Sequence, residues 1–422
     1  MNQLTRNKIK APNFDLLAFV GIFSYYMTMV LFSYQESMTI YAKISAVFLG
    51  FYFIAKLFIG DKNRLIISRE YKILMAWFFW AILSSFFAVN QFMSLVKALT
   101  LLQVMGVSFI IFNFTVWQGR SSGFWFSVII IALAASGFVF LSPQKFIGMD
   151  GRMHGTVGNA NLFSVLLLAA MISSLVFVYS AKNIMVKVFS FAATVFLFYM
   201  VLETGSRKGM FGALFVSMYA LFILSIRTYK SSKAKYLMSL VIAFLVMSLA
   251  VFFVMNGKHA HRIEGLVTAY QEGDASAADR SLEGRYELYK IATNEALKRP
   301  LFGVGLDNFR NINTGGYFGS SVGAYSHSNY MEVMVSTGII GLLLYVSIYI
   351  VMLSRLYRLR RAVYYSDIVG DYAITSSLFI MIIIFDFAMV SFSEKVSWFL
   401  LAGIMAQIYI IENKLRLHTK KR

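Results

Sequence analysis

The sequence contains no cysteine, which excludes disulfides, thiolate nucleophiles and cysteine-based metal sites. It contains only three prolines, so little interrupts a long helix. Charged residues are also scarce, at 14% of the chain against about a quarter in a soluble protein. Negatively charged residues are fewer than positively charged ones, with 20 Asp and Glu against 39 Lys and Arg. These shortages argue against a large soluble protein.

Long apolar runs account for most of the chain, and 59% of all residues are hydrophobic. Each run reaches about 18 residues or more, which is enough to cross a bilayer as a helix. The runs are apolar on all sides, whereas a barrel needs alternating polar and apolar positions. We therefore predict an all-α integral membrane protein with about twelve transmembrane helices. They are expected at 14–33, 41–59, 72–89, 94–114, 124–141, 160–179, 186–202, 208–225, 236–255, 329–353, 373–390 and 396–411.

The basic residues lie mostly in the loops that share a side with the N-terminus, and the short loops on the other side hold few of them. By the positive-inside rule, both termini are expected in the cytoplasm of a bacterial inner membrane. The net charge of +19 then follows from orientation and from contact with anionic membrane lipid. A nucleic-acid partner is not expected, and no cleavable signal segment is predicted.

The predicted topology divides the chain into three parts. Residues 1–255 carry helices 1–9, residues 256–328 form one large external loop, and residues 329–422 carry the last three helices and a basic cytoplasmic tail. Apolar residues at helical spacing predict amphipathic helices at 261–270 and 285–297, joined by a mobile segment. We expect no ATP chemistry, because the phosphate-binding motif GxxxxGK[ST] is absent. We also expect no metal and no cofactor, because His259 and His261 do not have the spacing of a zinc site.

The most informative stretch is Ala324-Tyr325-Ser326-His327-Ser328-Asn329-Tyr330, where a polar loop enters an apolar helix. It holds one of only five histidines. Four further motifs accompany His327-Ser328-Asn329-Tyr330: Gly284-Arg285-Tyr286, Arg299-Pro300-Leu301-Phe302-Gly303-Val304-Gly305, Gly338-Ile339-Ile340-Gly341, and Thr204-Gly205-Ser206-Arg207-Lys208-Gly209. Together these motifs resemble those of the superfamily of O-antigen ligases and Wzy-type O-antigen polysaccharide polymerases. In the last motif, Lys208 is inserted before the family's glycine.

The resemblance implies a GT-C-like glycosyltransferase with its active site on the external, periplasmic face. The donor would be a glycan linked to undecaprenyl diphosphate, and the acceptor would be a hydroxyl of another glycan or of a lipid-linked molecule. A chain-length regulator protein is a further partner that this family implies. Because the donor already carries a reactive diphosphate linkage, the reaction would need no nucleotide.

Three residues are the predicted catalytic groups. His327 would take the acceptor's proton or orient the acceptor, and a structural hydrogen bond is the alternative. Arg207 and Arg285 would bind the diphosphate, because a guanidinium binds phosphate oxygens in pairs. Alternatively, Arg207 pairs with Glu203, and Arg285 pairs with Glu283 or Asp307.

Further residues are weaker candidates for substrate binding. Arg152 is a candidate phosphate contact, and Lys97 is a cation within an apolar run. The remaining candidates are polar residues around the histidine and at the start of the helix predicted at 160–179. They are Tyr325, Ser328, Asn329 and Asn161, with the external acids Asp386 and Glu394 as the weakest members. Alternatively, the asparagine at that helix start is a helix cap, and the tyrosine is an ordinary residue of the membrane interface.

Two functions from different classes fit these features. The first is a membrane glycan transferase, with a repeat-unit polymerase for O-antigen, capsule or exopolysaccharide slightly favoured over an O-antigen ligase. The second is a polytopic lipid or solute transporter or flippase. That class predicts a repeat between the halves and charges at the midplane, neither of which the sequence shows.

Overall fold

A computed structural model describes residues 15–33, 35–59, 64–148, 151–231, 233, 280–313, 323–364 and 366–419. The described residues are almost entirely helical, and the pairing of Ile147 with Met153 is an isolated bridge rather than a strand. The predicted helices at 236–255 and 261–270 lie outside the described residues, as do His259 and His261.

Each other predicted transmembrane helix coincides with an observed helix, with ends that differ by a few residues in most cases and by ten residues at the end of the helix predicted at 329–353. The helix predicted at 285–297 is also present and begins earlier than predicted. The described helices are α1 Leu16–Phe32, α2 Thr39–Ile59, α3 Arg69–Ser85, α4 Gln91–Trp117, α5 Ser122–Leu141, α6 Ala160–Ser180, α7 Ile184–Glu203, α8 Arg207–Ser231, α9 Arg280–Lys298, α10 Phe309–Ile312, α11 Asn329–Val363, α12 Val369–Asp386 and α13 Lys395–Thr419. Short 3-10 turns lie at Glu36–Met38 and Pro143–Phe146.

Nine of the described helices are long and apolar enough to cross a membrane, which confirms an all-α integral membrane protein. They are α2, α4, α5, α6, α7, α8, α11, α12 and α13. The exposed side of α2 is apolar, with Phe51 and Phe58 70% and 86% accessible. Such a surface is stable in lipid but not in water. The full count of about twelve spans stays a prediction.

The centre of the bundle is built by α6, α12 and α13, which are buried along most of their length. Helix α6 packs against α5, α7, α8 and α12, while α13 packs against α4 and α12. On the other side of the bundle, α11 packs against α3. Helices that are apolar all round suit such interior positions.

Helix α11 is broken at Gly338, whose φ of 71° and ψ of −176° are not helical. The carbonyls freed by the break are used by the 300–305 turn: Val335 O accepts from Val304 N at 2.8 Å, and Ser336 O accepts from Gly305 N at 2.9 Å. Across the same contact, a Cβ at Gly338 would lie 2.0 Å from Leu301 O. The glycine motif therefore lets the turn dock into the kink.

The far end of α11 carries a buried ion cluster. Arg355, 5% exposed, donates through Nε and an Nη to Glu412 of α13 at 2.9 and 2.8 Å and also pairs with Glu70 of α3. Arg355 lies about 26 residues after Asn329, a path of roughly 39 Å along the two segments of α11. It joins α3, α11 and α13 at the end of the bundle away from His327.

Candidate functional site

His327 lies in the turn that leads into α11 and has a left-handed backbone, with φ of 58°. Its two neighbours fix this turn. The Ser326 hydroxyl donates to Ser328 O at 2.9 Å, and the Ser326 N–H donates to Glu332 Oε2 at 2.8 Å. Ser328 caps α11 through its hydroxyl, which lies 3.5 Å from the Met331 nitrogen. The Glu332 side chain is completely buried, so the turn is anchored from inside the bundle.

Two cations from other elements act on His327. Burial, together with the positive charges of Arg285 on α9 and Lys208 on α8, lowers the pKa of His327 to about 4. Both effects disfavour the imidazolium. The imidazole is therefore neutral at pH 7 and has a nitrogen able to accept a proton.

Arg152 is fixed beside the start of α8 by Asn161. Its guanidinium donates to Asn161 Oδ1 at 3.0 Å, and the same oxygen accepts from the Ser206 hydroxyl at 2.9 Å. Ser206 in turn caps α8, since its oxygen accepts from Gly209 N at 3.2 Å. Asn161 therefore orients Arg152, and the helix cap predicted for this turn is provided by Asn159, which accepts from the Asn161 and Leu162 amides.

Lys208 is a functional candidate that the sequence prediction missed. Its Nζ donates to the carbonyl of Ala388, at the end of α12. The charges that act on it among the described residues are those of Arg285 and Arg152. The geometry thus brings His327, Arg285, Lys208 and Arg152 together, with Arg207 as the first residue of α8. The inserted lysine between Arg207 and Gly209 was the one signal available in the sequence.

Lys97 and Tyr325 belong to a neighbouring network around Asp307. Tyr325 donates its hydroxyl to Asp307 Oδ1 at 2.6 Å, and Lys97 Nζ lies 3.6 Å from the same oxygen. Arg310 reaches the Tyr325 hydroxyl at 3.4 Å. Burial and Asp307 raise the pKa of Tyr325, so the phenol keeps its proton. Asp307 therefore balances Lys97, which makes Lys97 a weaker phosphate ligand than Lys208.

Asn329 is fully buried, and its amide is used within the protein. Nδ2 donates to Tyr345 and Asp386 at 2.8 and 3.1 Å, while Oδ1 accepts from the Ser391 and Phe392 amides. Asp386 also accepts from Tyr349 at 2.7 Å. These bonds tie the start of α11 to the α12–α13 connection. We leave Asn329 and Asp386 out of the proposed site for that reason.

Burial raises the pKa of Glu394, and the positive charges of Lys97 and Lys395 oppose that rise. Glu394 therefore belongs with the network around Lys97. The described residues contain no cluster of three or more His, Asp or Glu side chains that could hold a metal ion. Independence from metals stays a prediction.

The arrangement combines a neutral histidine with several fixed cations at one helix entrance. Residues 192–346 match the O-antigen ligase family. The match confirms the resemblance inferred from the motifs, and its segment contains Arg207, Lys208, Arg285 and His327. No curated protein matches the chain. Together with the membrane-spanning helices, the O-antigen ligase match supports a multi-pass membrane protein that transfers glycans, in the broad sense that includes ligases and polymerases.

Proposed function

We propose that this protein transfers a glycan from undecaprenyl diphosphate to an acceptor hydroxyl on the external face of the membrane. The observation that carries the proposal is the position of neutral His327 beside Arg285 and Lys208. A base next to a cluster of cations suits a reaction that removes a proton from one group and leaves negative charge on another.

The cations would serve the leaving group. As the sugar C1–O bond to the diphosphate breaks, its electrons stay on the phosphate oxygen and the lipid diphosphate gains charge. Arg285, Lys208 and Arg152 would stabilise that charge, and the positive end of the α8 dipole lies beside Arg207. Such fixed charges need no reorganisation during the reaction, which makes them effective in a site with little water.

His327 would serve the acceptor. The hydroxyl oxygen forms the new bond to C1, and its proton passes to the neutral imidazole and then to solvent. The bound diphosphate neutralises Arg285 and Lys208, so it raises the pKa of His327 toward the range in which a base is efficient. Glu332 and the two serines would hold the turn in place without touching substrate.

Within this reaction we favour polymerisation, in which the acceptor is a second lipid-linked repeat unit. Capsule and exopolysaccharide systems are numerous, and nothing in the chain points to a lipid A partner. A chain-length regulator would then be a natural partner. The second candidate is ligation to lipid A core or another terminal acceptor, which the description of the matched family as O-antigen ligase favours.

The test uses purified full-length protein in detergent with an undecaprenyl-diphosphate-linked repeat unit, alone or with lipid A core. A ladder of lengthened, lipid-linked glycan from the donor alone indicates a polymerase. A single transfer to lipid A core indicates a ligase. If the protein moves the donor across liposomes and never extends or transfers the glycan, it is a flippase and the proposal is wrong.

A further inference from the structure

A cavity of about 400 Å³ lies at the end of the bundle away from His327. It is formed where the start of α3 meets the last turns of α11 and α13. The residues of α11 that line it come more than 25 residues after Asn329, a path of roughly 39 Å along the kinked helix from the proposed transferase site. The glycan chemistry proposed above makes no use of it.

Three arginines from three helices line this cavity: Arg69 of α3, Arg358 of α11 and Arg416 of α13. Their side chains are exposed. Arg355 and Glu412 line the cavity too, but they are already paired with each other, with Glu70 as the other partner of Arg355. The lining carboxylate is therefore committed to Arg355, and the surplus charge of the cavity is positive.

Apolar side chains also line the cavity. They are Ile67, Leu359 and Leu415, together with the ring of Tyr409. A lining that combines cations with apolar side chains matches an amphiphile whose head is an anion and whose tail is hydrocarbon. Arginine is well suited to such a head, because its planar fork donates two hydrogen bonds to phosphate oxygens.

We propose that this cavity binds a phosphate-bearing anion, and that in the membrane the anion is the headgroup of an acidic phospholipid such as phosphatidylglycerol. The cations come from helices distant in sequence, so an occupant would also hold α3, α11 and α13 together at this end. A row of basic residues that only fixes orientation needs no cavity, and it would attract anionic lipid to a similar degree at every exposed cation.

The experiment compares wild type with the double variant Arg69→Gln/Arg358→Gln. The matched control is Lys182→Gln/Arg361→Gln, which removes two exposed cations that do not line the cavity. Full-length protein is purified in a neutral detergent, and bound lipid is counted by native mass spectrometry during titration with phosphatidylglycerol or phosphatidylcholine. A parallel titration uses inorganic phosphate as competitor.

Each cation near an anionic lipid is worth roughly a five-fold change in affinity. We expect the cavity variant to bind phosphatidylglycerol about 25-fold more weakly than wild type, with the control within about two-fold. Efficient competition by millimolar phosphate would identify a free phosphate as the preferred ligand, whereas weak competition would identify the lipid. Equal binding of the two lipids, or equal losses in the two double variants, would overturn the proposal. Separate Arg69→Gln and Arg358→Gln variants repeat the test if the double variant does not fold.

Discussion

Two charged clusters lie on α11 and its neighbours at opposite ends of the bundle, and they are built differently. Arg355 is held by the carboxylates of Glu70 and Glu412. Lys208 donates to a carbonyl, and the charges that act on it among the described residues are those of Arg285 and Arg152. In the first cluster, the closed cluster of Arg355, Glu70 and Glu412, the charges are paired within the protein. The second, the open cluster of Lys208, Arg285 and Arg152, is suited to receive an anion.

The difference teaches how to separate a structural charge from a functional one. A buried cation that is neutralised contributes mainly to the fold, because removing it leaves carboxylates buried and unpaired. A cation surrounded by like charge costs stability and is retained for what it binds. Arg355 and Lys208 are both cations that donate to oxygens of the protein, but the signs of the charges around them differ.

The largest effect on glycan transfer is expected at His327, the proposed base beside the cations of the open cluster. His327→Ala should lower the turnover of glycan transfer roughly 10²- to 10⁴-fold, the usual contribution of a general base. The measurement is the initial rate with saturating lipid-linked donor. His418→Ala, the same change near the C-terminus, is the control and should transfer normally. Normal turnover in His327→Ala would remove the catalytic role.

The next effect separates the two clusters by stability. Arg355→Met should lower the free energy of unfolding by about 3–5 kcal/mol, because Glu70 and Glu412 lose their partner. Lys208→Met should change it by less than about 1 kcal/mol, because relief of repulsion offsets the lost hydrogen bond. Unfolding in mixed micelles without donor measures both. Equal losses of unfolding free energy in the two variants would mean that Lys208 contributes as much to the stability of the fold as Arg355 does.

A smaller effect on stability is expected at Gly338, where the kink of α11 holds the 300–305 turn. Gly338→Ala should destabilise the protein by about 1–3 kcal/mol or more, because φ of 71° with ψ of −176° is a conformation essentially restricted to glycine, and the contact to Leu301 O adds to that cost. Gly137→Ala in α5 is the control, since nothing lies within 4 Å of the added methyl group. It should be neutral or stabilising. Similar stability of the two variants would show that the break in α11 does not depend on this glycine.

The smallest expected effect is in the pH dependence. The kcat/KM of an enzyme reports groups of the free protein, so its acid limb should lie near pH 4, where His327 becomes protonated. Arg285→Gln removes a repelling charge, so it should raise the pKa of His327 and move the limb to higher pH. Profiles from pH 3.5 to 8 measure this shift. A wild-type limb near 6.5 would contradict the proposed influence of Arg285 and Lys208.

The helices and the neighbourhood of His327 were predictable because both depend on local sequence. Apolar runs of bilayer length placed α1–α8 and α11–α13, and the motif spacing indicated His327 and Arg285. Lys208 was missed because its importance depends on α9 approaching the start of α8, which no local pattern reveals. The burial of Asn329 was also hidden, since its partners lie about 60 residues later in the chain.

The partners of Asn161 and Lys97 were also hidden from the local sequence. Asn161 was expected at a substrate or at a helix cap, and the structure adds a hydrogen bond to Arg152, nine residues earlier in the chain. Its role in substrate binding stays a prediction. Lys97 was a candidate for substrate binding because cations are costly within a membrane. Its partner Asp307 is more than 200 residues later in the chain, so only the folded chain shows that the charge of Lys97 is balanced.

We propose that the cations beside His327 bind the diphosphate of the donor. The most direct measurement is the thermal midpoint of purified protein with added undecaprenyl diphosphate, compared between wild type and Arg285→Gln/Lys208→Met. A ligand at 100 times its Kd stabilises the folded state by about 2.7 kcal/mol. We expect undecaprenyl diphosphate to raise the thermal midpoint of the wild type by an amount that corresponds to such a stabilisation. The rise should be much smaller in the double variant, and undecaprenol should have little effect on the thermal midpoint of either protein. Equal stabilisation of both proteins, or an equal response to undecaprenol, would contradict this proposal.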